Sequence, residues 1–165
     1  MPSHPDVHPL QLRDAAQAAA WLDLLDHYAH DPMGGGAGLS PYARAHLVAE
    51  LRDLPIFHGA LAWEDGRAVG LINCFAGFST FAAKPLLNIH DIVVHGEVRG
   101  TGIGQALLAW AEGRARELGC CKLTLEVLAN NARALLAYER AGFAPYVLDP
   151  AAGQALFLQK LLPEA

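Results

Sequence analysis

The sequence predicts a mixed α+β fold, and three observations carry that expectation. Apolar, β-branched stretches alternate with polar positions as half-buried strands do. Other stretches repeat apolar residues every three or four positions and carry capping residues at their ends, the pattern of amphipathic helices. Near the middle of the chain an apolar strand, residues 89–94, runs through a short turn into Gly100, Gly102 and Gly104, which open a helix.

Taken in order, residues 7–12 read as a short first strand. Asp14 stands where a helix cap belongs, before an apolar face of Ala18, Trp21, Leu22, Leu25 and Tyr28. Asp31-Pro-Met-Gly-Gly-Gly-Ala-Gly ends that helix, and Ser40-Pro41 supplies the cap and first position of a second one ending near Asp53. Residues 57–63 and 67–75 flank Glu64-Asp65-Gly66, a hairpin signal, and residues 76–85 either continue the strand or loop out. There follow a strand near 87–94, a helix at 103–118, a strand at 121–128 and a helix at 131–140. Strands near 143–148 and 154–161 complete the order. Asn131 caps the fourth helix and Gly142 stands at the position where a C-terminal glycine ends one.

The 165 residues are enough for one domain with its own core, spanning 1–165. At 53% hydrophobic and 18% charged the composition is that of a compact chain and not a disordered one. The net charge of −5 comes without any basic cluster, which argues against nucleic acid and anionic membranes as partners. No apolar run approaches the ~20 residues that span a bilayer, and the Pro/His-rich N-terminus lacks a signal-peptide pattern. A cytoplasmic location is expected. Cys74, Cys120 and Cys121 are odd in number and lack metal-pair spacing, so they read as reduced, buried thiols. His27, His30 and Asp31 fall together near the end of the first helix; histidines there answer the helix dipole more often than they bind metal, and no metal is expected. His4 and His8 belong to a tail that carries little information.

The glycine run is the most informative stretch. Alternate glycines opening a helix leave backbone N–H groups unblocked and aimed at one point, helped by the helix dipole, which makes an anion cradle suited to a pyrophosphate. A dinucleotide fingerprint would need a third glycine where Gln105 stands, and a phosphate-binding P-loop would need Gly-Lys-Ser/Thr, which is nowhere in the chain. What remains is Arg99-Gly100-Thr101-Gly102-Ile103-Gly104, which resembles the acetyl-CoA loop of the GNAT acetyltransferase superfamily, Gln/Arg-x-x-Gly-x-Gly/Ala. Downstream, a strand pattern ending in Glu126-Val127 precedes Asn131-Ala-Arg-Ala-Leu-Leu-Ala-Tyr138-Glu139-Arg140-Ala-Gly142-Phe143, similar to the second half of the same signature. The strong match covers roughly residues 86–147, under half the chain.

That resemblance implies a central, mostly antiparallel sheet, splayed at the acetyl-CoA site and flanked by about four helices. It implies acetyl-CoA as co-substrate, its phosphates on the N–H groups of Arg99, Gly100, Thr101, Gly102, Ile103, Gly104 and Gln105. The pantetheine arm would lie along Ile92, Val93 and Val94 as an added strand, with an N–H near Val94 stabilising the oxyanion of a tetrahedral intermediate. Asn131 would bond the pantetheine or orient the loop. Tyr138, two turns further on the same helix face, would protonate the leaving thiolate, since a phenol near pKa 10 keeps its proton at neutral pH.

The strand before the loop also looks like that of the polyamine acetyltransferases, where a Glu-Asp pair stands at this distance from the Val. Here His90 takes the Glu position and Asp91 is kept. Strand alternation puts Asn88, His90, Ile92 and Val94 on one face, which favours His90 over Asp91 as the group facing the cleft. Either would relay the proton of an amine through water while the site desolvates it. Tyr28, Asp31, Phe78 and Phe81 lie in segments that the resemblance assigns to the acceptor pocket. The leading expectation is therefore an N-acetyltransferase acting on a small-molecule primary amine, with a homodimer expected through the apolar stretch 155–162. The alternatives are acetylation of a protein N-terminus or lysine, transfer of a longer acyl group, and a non-catalytic acyl-CoA-binding domain.

Overall fold

The computed structural model describes residues 5–163; His4 lies outside them. Strand β1 (Asp6–Pro9) leads into α1 (Ala15–Ala29), a 3-10 turn at Pro32–Gly34 and α2 (Pro41–Leu51). Strands β2 (Phe57–Glu64), β3 (Arg67–Ser79) and β4 (Lys84–Val94) follow, then α3 (Ile103–Glu117), β5 (Leu123–Leu125) and α4 (Ala132–Arg140). The five strands form one sheet in sequence order, antiparallel from β1 to β4, with β5 parallel to β4.

The helices begin where local chemistry says they should. The Asp14 carboxylate accepts from Ala16 N and Gln17 N, Ser40 Oγ from Ala43 N and Asn131 Oδ1 from Ala134 N, each replacing a partner that the first helical turn lacks. Two cores flank the sheet. On one face Trp21, Leu24 and Leu25 of α1 bury against Leu61, Leu71 and Val93. On the other, Ile103, Leu107, Leu108 and Ala111 of α3 cover Ala60, Ala62, Ile72, Cys74, Leu87 and Ile89. The period-2 alternation of β2 and β3 supplies both faces at once. The α3 helix presses so close that a Cβ on Gly70 would lie 3.0 Å from Ile103 Cγ2 and 3.0 Å from the Val93 carbonyl oxygen.

Several expectations change. In α1 the buried positions are Ala18, Trp21, Leu24 and Leu25, so Leu24 joins the apolar face while Leu22 is only half-buried at its edge. His8 is paired with Leu61 in β1 and does not belong to a tail. Cys74 is buried, but Cys120 is half-buried and Cys121 exposed. The strand expected at 121–128 narrows to Leu123–Leu125, because β4 offers it a ladder only from Leu87 to Ile89. The two strands expected near 143–148 and 154–161 do not form; among the described residues this stretch holds only a 3-10 turn at Pro150–Ala152. Pro145 has no N–H to give a ladder, and the shortened β5 presents little edge to pair with. Leu156, Phe157 and Leu158 are consequently all more than 70% exposed.

Candidate active site

The site begins with a break in register. Asn73 pairs with Asp91 but its neighbour Cys74 pairs with Ile89, so His90 is an extra, bulged residue in β4. One consequence is on the β5 side. The β4–β5 ladder ends at Ile89 and Leu125, while β4 continues, paired to β3, as far as Val94. Past the bulge the two parallel strands part, and the outer backbone edge of residues 90–94 has no strand partner among the described residues. An extended chain of amide groups fits such an edge.

That edge points into the glycine loop. His95 Nδ1 caps the 3-10 turn Gly96–Val98, and Arg99 folds back so that its Nε donates to the Val94 carbonyl at 3.1 Å. Gly102 then sits at φ 95°, the left-handed region that a side chain disfavours, and a Cβ there would meet nothing. Glycine is thus required by conformation and not by space. It serves as the N-cap of α3, and no side chain caps that helix. The first intrahelical bond of the loop runs from Ala106 N to Gly102 O, so the N–H groups of Ile103, Gly104 and Gln105 stay free for an anion. Gln105 Nε2 meanwhile donates to Ala137 O at 2.9 Å and ties α3 to α4.

On α4, Tyr138 packs edge-on against Phe143 and is half-buried beside the α3 core. Burial, and then the nearby Tyr28, push its hydroxyl pKa up, which keeps the proton on the oxygen. Asn131 uses Oδ1 to cap its own helix, and its amide N–H groups take no protein partner among the described residues. From the opposite sheet face, Tyr28 of α1 has its pKa raised by burial and by the charges of Asp91 and Asp31, and its hydroxyl donates to Met33 O at 3.2 Å. Asp31 caps the turn after α1 and lies 3.7 Å from Arg99. Tyr28 thus feels the charges of Asp91 and Asp31 and in turn acts on Tyr138 across the sheet.

Not every expected residue arrives there. The bulge cancels the alternation on which the preference for His90 rests. Ile92 and Val94 pack toward α3, whereas His90 is exposed and stacks edge-on against Phe75 at 5.5 Å, a ring that in turn meets Phe57 on the α1 side. Asp91, half-buried, bonds Asn73 and lies on the α1 side too. Phe78 and Phe81 sit at and beyond the far end of the β3–β4 hairpin, exposed, with Ser79↔Lys84 six rungs from Asn73↔Asp91. At ~3.3 Å per rung that is roughly 20 Å from the carboxylate, so the fold separates them from Tyr28 and Asp31. His27 and His30 diverge, the first stacking on His95 and the second bonding Asp26 O. Among the described residues no three His, Cys, Asp or Glu side chains group as metal ligands.

A groove of about 530 Å³ lined by Arg13, Arg52, His58, Trp110 and Arg114 shares no residue with this gap. Its arginines are already paired, two with Asp53 and one with Glu117. The residue that sequence reasoning passed over is Asn73, the buried polar side chain of the core at 2% exposure. Its signal was a lone amide in the apolar run Val69-Gly-Leu-Ile-Asn73-Cys-Phe.

Comparison with known proteins bears on this geometry. The model of the acetyltransferase (GNAT) family matches residues 21–143. Streptothricin acetyltransferase of Streptomyces lavendulae is 45% identical over 87 residues, 51% of this chain and 46% of its own. Aminoalkylphosphonate N-acetyltransferase of Salmonella typhimurium is 40% identical over 76 residues, 46% of this chain and 49% of its own. The chain thus spans about half the length of each of these relatives. Among solved structures, the aminoglycoside N-acetyltransferase AAC(6')-Iy, bound to a CoA-linked bisubstrate analogue, superposes with a TM-score of 0.77. The identity is 16%, and the overlap covers 97% of this chain and 100% of that one. The α+β fold with a mostly antiparallel sheet and four helices is the same.

Proposed function

The chain belongs to the GNAT acetyltransferase family, and from that membership we propose that it moves an acetyl group from acetyl-CoA to the primary amine of a small molecule. The observation that carries this reading is the parting of β4 from β5 at the His90 bulge, which leads a free backbone edge straight to the uncapped start of α3. Acetyl-CoA supplies an activated thioester; the protein's own groups do the rest.

The open N–H groups of Ile103, Gly104 and Gln105, with those of the loop from Arg99 to Gly102, hold the pyrophosphate. The edge at Ile92, Val93 and Val94 takes the pantetheine arm, and the amide N–H groups of Asn131 lie on the α4 side of the same gap. A β4 N–H near Val94 stabilises negative charge on the thioester oxygen. Asp91, whose charge reaches Tyr28, meets the amine as its ammonium and relays the proton away through water. That assignment is supported by its contacts, whereas His90 leans on Phe75. As the nitrogen–carbon bond forms and the carbon–sulfur bond breaks, the Tyr138 hydroxyl gives its proton to the departing thiolate. Small amines are favoured as acceptors by the names of the relatives, which act on streptothricin and aminoalkylphosphonates.

The test is thiol release from acetyl-CoA against a panel of amines, amino acids and peptides. Turnover confined to small amines is the expected result. Turnover only on peptides would replace the acceptor class, and CoA binding with no turnover on any member would leave a binding domain. We also infer a homodimer, supported by the exposed Leu156, Phe157, Leu158, Leu161 and Leu162; light scattering that gives a monomer mass at micromolar concentration overturns it. No helix among the described residues is long and apolar enough to cross a membrane, which is consistent with the cytoplasmic location we propose.

A further inference from the structure

The core contains a short polar chain that stability does not require. Trp21 Nε1 donates to Asn73 Oδ1 at 2.8 Å, and Asn73 Nδ2 donates to Asp91 Oδ2 at 3.0 Å. Trp21 is completely buried and Asn73 is 2% exposed. An apolar pair of the same shape would fill this space at little or no cost, since a buried hydrogen bond contributes little net once both partners are replaced. What the chain does that an apolar pair cannot is orient a carboxylate.

The orientation follows from donor chemistry. An indole N–H only donates, so the Asn73 amide must turn its oxygen to Trp21. Its NH2 then faces Asp91 and demands an acceptor there. Trp21 in turn is locked by packing, with Phe57 edge-on at 6.2 Å. Asn73 and Asp91 occupy the paired rung next to the bulge, with the ladder continuing on both sides of it, so their backbones are fixed and only the side-chain angles remain to be set. Oδ2 of Asp91 is committed, while Oδ1 takes no hydrogen bond among the described residues.

We propose that Trp21 and Asn73 are positioning residues that hold the Asp91 carboxylate in one rotamer, with one oxygen turned to the ammonium group of the acceptor. This rests on the reading of Asp91 given under the proposed function, and it adds the device that sets its aim. It also states a requirement on the acceptor: the group that meets Oδ1 is a hydrogen-bond donor carrying positive charge, because a fixed, half-buried carboxylate selects a cation over a neutral amide or hydroxyl.

The experiment uses Asn73→Leu, which keeps the volume and removes the donor, and Trp21→Phe, which removes the N–H that orients the amide. Steady-state kinetics are measured with the best acceptor of the panel, and circular dichroism checks that each protein is folded. In both variants KM for the amine should rise at least tenfold while KM for acetyl-CoA stays within twofold. A merely structural role would lower the active fraction and move neither KM. The decisive comparison is a double-mutant cycle. Asn73→Leu placed in an Asp91→Asn background should cost nothing further, because the residue it positions is already gone. Additive losses, or an unchanged amine KM in a folded Asn73→Leu or Trp21→Phe protein, overturn the proposal. Wild-type protein inactive on every acceptor is a different result: it removes the parent reading of the site, and the proposal falls with it.

Discussion

Replacing Gly70 by Ala tests whether the start of α3 is set by its contact with the sheet. The new Cβ would lie 3.0 Å from the Val93 carbonyl oxygen, 3.0 Å from Ile103 Cγ2 and 3.1 Å from Leu107 Cδ1. Comfortable contact for such atoms is ~3.5 Å or more, so about half an ångström must be found. The two methyls can turn aside, but the Val93 oxygen is backbone of a paired strand and stays. The Cβ has to lean away from that oxygen, toward the α3 side chains, and the helix is pushed outward. Overpacking of this kind costs about 1–3 kcal/mol. With a urea slope of ~2 kcal/mol/M the unfolding midpoint should fall by about 0.5–1.5 M at unchanged slope. Because Ile103 is the first residue of α3, the same retreat should weaken CoA binding measured by calorimetry. Gly113→Ala is the control, since a Cβ there meets nothing and the position is an exposed helix interior; it should stabilise by about 0.5–1 kcal/mol. A Gly70→Ala protein with wild-type midpoint and CoA affinity would refute the claim that α3 is seated by contact at this glycine.

The other expectations are these. Tyr138→Phe keeps the ring against Phe143 and should leave stability and CoA affinity unchanged while kcat falls by ~10²-fold or more; full turnover would dismiss the acid. Gly102→Asp forces a side chain onto φ 95° and sets a carboxylate beside the phosphates, so CoA should bind at least ~10-fold more weakly, and unchanged binding in the folded variant would remove the loop from the site. Cys74 has its thiol pKa pushed from 9.0 to about 12, by burial first and then by Asp91. Its neutral form therefore adds stability that is full below pH 9 and is lost as pH climbs to about 12. Between pH 8 and 10.5 the wild type should lose about 2 kcal/mol more than Cys74→Ala, read by urea unfolding at both pH values. Equal losses would mean that the thiol stays out of the transition.

What the sequence determined by itself is what short-range chemistry controls. The caps Asp14, Ser40 and Asn131, the Asp65-Gly66 turn and the glycines before α3 all act within a few residues. Each is therefore legible from its neighbours, as was the family they belong to. Tertiary structure decided the rest. The bulge at His90 exists only because β3 pairs with β4 on both sides of it, and one extra residue there moved Asp91, and not His90, onto Asn73. The alternation that favoured His90 assumed an unbroken strand. The Trp21–Asn73–Asp91 chain joins residues 52 and 18 positions apart, a distance over which no local pattern carries information. The same holds for the expected last two strands. Their apolar runs were visible, but a strand needs a partner edge, and β5 pairs only over Leu123–Leu125 because the sheet has already opened beside it.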